Sequence, residues 1–256
     1  MLSQPSAANV SCAPSVCRMT APSAPRICAG AIPPGRSRRS AIVQRPLVRG
    51  LTTPGLALGW SILLCVSGLA WLATAFNAAT AFVGVAIIVI YGFIYTPMKR
   101  TTHWATEVGS VSGALPPLLG SAAAGEFWSV PAWVLAAVLF FWQMPHFFAI
   151  GWVHRGDYRA AGLPLLPATD ETGQRTSAWS FGYSIALAAA LILPWPMKWM
   201  GAIFGVTASC IAAVLVVMAW RFLNAPGNRE HEARRLFRTT LFTLPLLLLA
   251  MIFDRG

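Results

Sequence analysis

The sequence predicts an all-α integral membrane protein, a bundle of about seven transmembrane helices. Three observations carry this expectation. Only 11% of the residues are charged and 56% are hydrophobic, whereas a soluble domain carries roughly a quarter of its residues as charges. So few charges do not solvate the surface of a globule this size, while lipid favours apolar exteriors around an internally satisfied backbone. Apolar segments close to the roughly 20 residues needed to span a bilayer recur along the chain. Finally, the basic residues lie in short runs between those segments, not along one amphipathic surface. That placement excludes nucleic acid as the reason for the net charge of +11 and fits anchoring at a lipid bilayer with anionic headgroups.

Residues 1–44 differ from the rest, being rich in Ser, Ala, Pro and Arg, and no Asp or Glu occurs before Glu107. The Arg- and Ser-rich, acid-poor composition is like that of an organellar transit peptide. The prolines oppose the amphipathic helix such a peptide needs, so the segment reads as a disordered basic tail. From residue 45 on, the patterning predicts a transmembrane domain with helices near 55–76, 79–96, 110–124, 131–152, 178–195, 199–220 and 238–253. The 110–124 segment holds Gly113, Pro116 and Pro117, and a broken helix is tolerated there only where protein or a cavity satisfies the freed backbone. The five cysteines, Cys12, Cys17, Cys28, Cys65 and Cys210, show neither CxxC spacing nor pairing with histidine, a scatter that argues against a metal or disulfide framework.

An alternating path with the N-terminus inside puts the loops 97–109, 153–177 and 221–237 on the cytoplasmic face. These carry Lys99, Arg100, Arg155, Arg159, Arg175, Arg221, Arg229, Arg234 and Arg235. The other face keeps Lys198 and Arg255, with Arg238 at a helix boundary. This asymmetry obeys the positive-inside rule.

Three polar clusters interrupt the apolar pattern, and ionisable or amide groups near a span are informative because they are costly there. Tyr95-Thr-Pro-Met-Lys99-Arg100 offers a point charge and a two-pronged donor that suit a phosphate, or else an ordinary interfacial anchor. Gln143 and His146 in Trp142-Gln-Met-Pro-His-Phe147 are three apart, a spacing that puts both on one helix face, with Pro145 distorting it. They serve either an interhelical hydrogen bond or a bound molecule. Asp157, in His154-Arg-Gly-Asp-Tyr158, suits Mg²⁺ together with phosphate oxygens, or a salt bridge with Arg155 or Arg159. The topology sends all three clusters to one membrane face. Bases for phosphate, a carboxylate for metal and aromatics for an apolar chain together describe a lipid-diphosphate site.

At these residues the sequence resembles the UbiA superfamily of intramembrane prenyltransferases, most closely its heme-farnesylating branch. The matching runs are Arg45-Pro46-Leu47 with Gly50, Tyr95-Thr96-Pro97 with Lys99-Arg100, and Gly109 with Gly113-Ala-Leu-Pro116-Pro117 and Gly120. They continue with Trp142-Gln143-x-Pro145-His146-Phe147, Asp157-Tyr158-x-x-Ala161-Gly162-x-Pro164 and Ala233-Arg-Arg-Leu-Phe237. The likeness covers roughly residues 44 to 254. It implies transfer of a farnesyl group from farnesyl diphosphate to a vinyl group of heme B, with Mg²⁺ as cofactor, in a bacterial plasma membrane or, second, a mitochondrial inner membrane. It further implies Lys99, Arg100 and Arg45 as diphosphate contacts and Asp157, with Tyr158, as metal or diphosphate ligand. Tyr95 is implied as a further substrate contact, Gln143 and His146 as contacts on the heme side, and Trp142, Phe147 and Phe148 as the farnesyl channel.

The family also has two earlier helices and a loop of the form Asn-x-x-x-Asp-x-x-x-Asp that holds Mg²⁺ and diphosphate. No such pattern occurs in residues 1–44, and the tail reads as unrelated sequence joined near Gln44. The expectation is therefore a seven-span homologue with little or no activity. The competing classes are an inactive member binding heme or an oxidase-assembly partner, and a small transporter.

Overall fold

Helices account for most of the backbone in the computed structural model, which describes residues 50–225 and 227–254. Arg45 and the expected tail lie outside them. The chain divides into two units, Met1–Ala57, of which residues 50–57 are described, and Leu58–Gly256. All packing below belongs to the second unit.

In chain order the helices are α1 (Pro54–Ala75), α2 (Ala78–Met98), α3 (Ala105–Ala114), α4 (Pro116–Ala123) and α5 (Val130–Val153). The short α6 (Arg155–Ala160) and α7 (Leu166–Thr169) follow, then α8 (Gln174–Ile192), α9 (Ala202–Leu223) and α10 (Arg229–Phe253). Among the described residues there is no strand. Five helices, α1, α2, α5, α9 and α10, are long and apolar enough to cross a membrane. Of the other two expected spans, α8 begins with a polar turn, Gln174-Arg-Thr-Ser177. The other divides at Leu115, where Pro116 and Pro117 open a new helix; proline at the first helical position costs nothing because that amide has no helical partner.

Local chemistry sets the ends. Asn77 caps α2, its Oδ1 accepting from the Thr80 amide at 2.9 Å and the Thr80 hydroxyl at 3.0 Å. Its Nδ2 donates to the Ala122 carbonyl at 2.7 Å, tying the end of α4 to the start of α2. Asp170 organises the entry to α8, accepting from the Gly173 amide at 2.9 Å and from the Thr176 amide and hydroxyl at 2.8 and 2.9 Å. Asp254 reaches back to cap α9 through the Gly201 and Ile203 amides. α10 starts at Arg229, nine residues before the expected helix. Arg229, buried, donates to the Thr172 and Leu223 carbonyls and to Gln174 Oε1, so a residue read as loop charge anchors three segments. Arg238 consequently lies inside α10, in its N-terminal half.

The principal core joins α5, α8, α9 and α10 around Leu187, Leu191, Leu215, Phe222 and Leu236. Ser180, Ser184, Ala208, Ala212, Ala219 and Ala233 are fully or nearly fully buried at these contacts, and such small residues let membrane helices approach closely. Outward, large apolar side chains are widely exposed, Phe93 at 75% and Leu64 at 66% among them. In water this surface would aggregate; in lipid it is the required exterior. α1 buries no residue at all.

Candidate active site

The C-terminal parts of α2 and α5, together with α3 and the α6–α7 turn, enclose a cavity of about 480 Å³. Its lining is Tyr91 and Tyr95 from α2, Thr106, Gly109, Ser112 and Gly113 from α3, Gln143, Phe147, Ile150 and Gly151 from α5, Tyr158 from α6, and Ile87, Leu165 and Pro167. The volume lies in the range of small-molecule sites, and the mix of apolar walls with a few polar groups is typical of them.

Each wall has a local cause. Val89–Tyr95 of α2 is π-helical. Pro97 has no amide with which to meet the Phe93 carbonyl in an α-turn, and the Thr96 amide and hydroxyl instead reach back to the Tyr91 carbonyl, the hydroxyl at 2.8 Å. The widened turn places Tyr91 and Tyr95 on the same wall, their ring centroids 5.3 Å apart; π-bulges of this kind recur at functional sites. Tyr95 lies flat against Gly109, where a Cβ would stand 2.8 Å from the ring. Gln143, buried, donates from Nε2 to the Leu139 carbonyl at 3.1 Å and the Ser110 carbonyl at 3.4 Å. Its Oε1 lies so close to Gly113 that any Cβ there would overlap it.

The basic residues at this end of the bundle have different partners. Arg155 pairs with Glu230 at 3.4 Å and lies over the Trp152 ring at 4.3 Å. Arg234 and Arg235 pair with Glu230 and Glu232 at 2.8 and 3.2 Å. Arg159 donates to the Ala168 and Asp170 carbonyls, bracing the α6–α7 turn that carries Tyr158. Lys99 and Arg100, by contrast, have no carboxylate partner among the described residues, and Lys99 Nζ hangs 5.9 Å from the centre of the Tyr95 ring at the cavity wall. Among the described residues Arg175, Arg221 and Arg238 have no ion pair either, but Lys99 is the cation placed at this cavity, with Arg100 next to it in the chain.

Of the residues singled out in the sequence, Tyr95, Gln143, Phe147 and Tyr158 meet in the cavity, with Lys99 adjacent. His146 does not join them. Three residues on from Gln143 it is turned by about 60° around the helix and faces α10, its Nδ1 2.8 Å from Thr240 Oγ1. Trp142 faces α10 too, donating from Nε1 to the Thr240 carbonyl at 2.9 Å. Phe148 is fully buried with Met144 and Leu166 and is core. Asp157 is 70% exposed, 3.8 Å from His154 Nδ1, and is not part of the cavity wall. Among the described residues no three His, Cys, Asp or Glu side chains gather as metal ligands, and the cavity wall contains no carboxylate. The residues described here therefore do not by themselves fit a Mg²⁺ site. Thr240 and Ser110, which the sequence reading passed over, contact His146 and Gln143; their only signal is a hydroxyl in an otherwise apolar helix.

The family model for the UbiA prenyltransferase family matches residues 39–243. The chain belongs to the UbiA prenyltransferase family. The match begins a few residues before the expected joint at Gln44. Among relatives of this UbiA chain, a protein named protoheme IX farnesyltransferase from Opitutus terrae is 37% identical over 214 residues, 82% of this chain and 71% of that one. A protein of the same name from Solibacter usitatus is 35% identical over 214 residues, 82% of this chain and 72% of that one. A solved structure of digeranylgeranylglyceryl phosphate synthase superposes with a TM-score of 0.73 at 16% identity, covering 84% of this chain and 75% of that one, a likeness of fold.

Proposed function

We propose that this UbiA-family membrane protein transfers the farnesyl group of farnesyl diphosphate to a vinyl group of heme B, giving the hydroxyethylfarnesyl product, heme O. The observation that carries the reading is the cavity walled by Tyr91, Tyr95, Phe147, Tyr158 and Gln143, with Lys99 beside it and Arg100 next in the chain. The names of the relatives supply the substrates.

In this reading Lys99 and Arg100 bind the diphosphate and stabilise the negative charge that develops on it as the allylic C–O bond breaks, the largest contribution proteins make to such steps. The aromatic wall contacts the farnesyl chain, and its ring faces stabilise the positive charge left on the allylic carbon. The heme vinyl carbon forms the new C–C bond, and water adds at the adjacent carbon and loses a proton. Mg²⁺, which UbiA prenyltransferases use with the diphosphate, finds no ligand set in the described residues, and no step here depends on it. A bacterial plasma membrane is the compartment proposed, with a mitochondrial inner membrane second; relatives of the same name include both bacterial and mitochondrial proteins.

The test is to express the full chain in cells lacking their own heme O synthase and to extract hemes for mass spectrometry. Heme O formed by this chain supports the reading over the weak activity expected from the missing Asn-x-x-x-Asp-x-x-x-Asp pattern, and Lys99→Gln or Arg100→Gln is then expected to raise the KM for farnesyl diphosphate about tenfold, the cost of one charge-assisted contact. Heme retained without any heme O would move the chain to the class of binding proteins.

A further inference from the structure

Three guanidinium groups share one groove on the outside of the bundle. It lies between α9 and α10, has a volume of about 420 Å³, and is lined by Met218 and Arg221 from α9 and Arg235, Arg238 and Thr239 from α10. None of these residues lines the cavity described above. The two helices are joined by the short 224–228 turn and run antiparallel. A helical side chain leans toward the N-terminus of its own helix. Arg221 therefore leans away from the turn while Arg235 and Arg238 lean back toward it, and the three converge. Arg235 pairs with Glu232 at 3.2 Å. Arg221 and Arg238 are exposed and make no hydrogen bond or ion pair with any described residue, and the Thr239 hydroxyl donates to the Arg235 carbonyl at 3.0 Å. Three positive charges against one carboxylate leave the groove cationic, and their mutual repulsion falls when an anion lies between them.

Helix chemistry accounts for only one of the two unpaired arginines. Arg221 is in the last turn of α9, where a cation complements the helix C-terminus. Arg238 stands well inside α10, roughly 13 Å along the axis from its start, at a depth where an arginine without a partner is costly. Beyond the groove the same helix faces turn apolar. Val217 and Val214, one and two turns before Arg221, are exposed, and so are Leu241 and Phe242, one turn after Arg238. A cationic groove that runs onto an exposed apolar strip matches a molecule with an anionic head and hydrocarbon tails. We infer that the α9–α10 groove binds an acidic phospholipid, its phosphodiester between Arg221 and Arg238 and an acyl chain along Val214, Val217, Leu241 and Phe242. The guanidinium fork suits phosphate oxygens, and basic pockets between membrane helices hold acidic headgroups in this way. The inference is independent of the proposed farnesyl transfer.

The test is native mass spectrometry of the full chain, released from detergent after titration with phosphatidylglycerol or with phosphatidylcholine of the same acyl chains. The wild-type chain is expected to hold one phosphatidylglycerol about thirtyfold more tightly than phosphatidylcholine, the effect of two arginines beside an anionic headgroup. Arg221→Gln combined with Arg238→Gln is expected to abolish that preference. Either single variant is expected to lose about fivefold, and carries the test if the double variant does not fold. Arg175→Gln removes an equally exposed cation from the start of α8 and is expected to leave the preference intact. Equal binding of the two lipids to the wild-type chain would overturn the inference. So would a preference that survives the double variant, or one that Arg175→Gln reduces as much, since either result means diffuse attraction to net charge. Inorganic phosphate at the concentration of the lipid is expected not to displace phosphatidylglycerol; displacement would assign the groove to a soluble phosphate and overturn the lipid.

Discussion

At the residue scale the cavity is set by two glycines as much as by its polar groups. Gly113 is where Gln143 Oε1 rests and Gly109 is where the Tyr95 ring rests; both contacts exist because no Cβ stands in the way. Gly113→Ala therefore displaces a buried amide that is already committed to two carbonyls. The expected result is a loss of about 1–3 kcal/mol of stability, the usual cost of overpacking, with a larger fractional loss of heme O formation than of folded protein. Thermal unfolding in detergent alongside turnover checks this; a variant with both unchanged would mean that Gln143 does not shape the site. Sequence patterning identified Gln143 and Tyr95 as out of place in an apolar span. It had no means to show that each is seated on a glycine, thirty residues away for Gln143 and in the next helix for Tyr95.

At the element scale, two of the chain's few acidic residues serve helix ends and not the chemistry. Asp170 accepts three hydrogen bonds at the start of α8, and Asp254 joins the end of α10 to the start of α9. Both satisfy amides that a helix start leaves without partners. Asp170→Ala is expected to cost about 1–3 kcal/mol, since it strands buried donors. Asn in its place is expected to recover part of that through its carbonyl oxygen. The measurement is the midpoint of thermal unfolding in detergent, and an unshifted midpoint in Asp170→Ala would show that the cap adds nothing. The π-helical turn in α2 belongs to this scale as well. Pro97 is visible in the sequence as a helix disturbance, but whether the disturbance becomes a kink, an end or a widened turn depends on where Thr96 finds its acceptor.

At the scale of the whole molecule, charge asymmetry and packing agree on which loops share a face. Arg155–Glu230 and Arg229–Thr172 tie the 154–173 and 224–230 segments together at the end of the bundle where Tyr95 and Tyr158 line the cavity. The opposite end carries Trp128, Trp133, Trp195 and Trp199 in or beside its loops, as an aromatic belt at a membrane interface does. On a cysteine-free background, Glu171→Cys is expected to react with a membrane-impermeant thiol reagent only from the cytoplasmic side. Lys198→Cys is expected to react only from the other. Labelling of both from one side would refute the topology.

The sequence by itself determined the solvent of this protein, its helical class, the grouping of its basic loops and its family. Each follows from quantities that accumulate along the chain: the shortage of charge, the length of apolar runs, the distribution of Lys and Arg, and the spacing of motifs. The tertiary structure alone decided which polar groups face a cavity and which serve the scaffold. Arg159 and Arg229 carry the same charge as Lys99 and Arg100, yet the first pair is spent on backbone carbonyls. Gln143 and His146 lie three residues apart but look toward different helices. The physical reason is that a side chain's role depends on the partner it meets, and in a helical bundle that partner comes from another helix, as Thr240 does for His146.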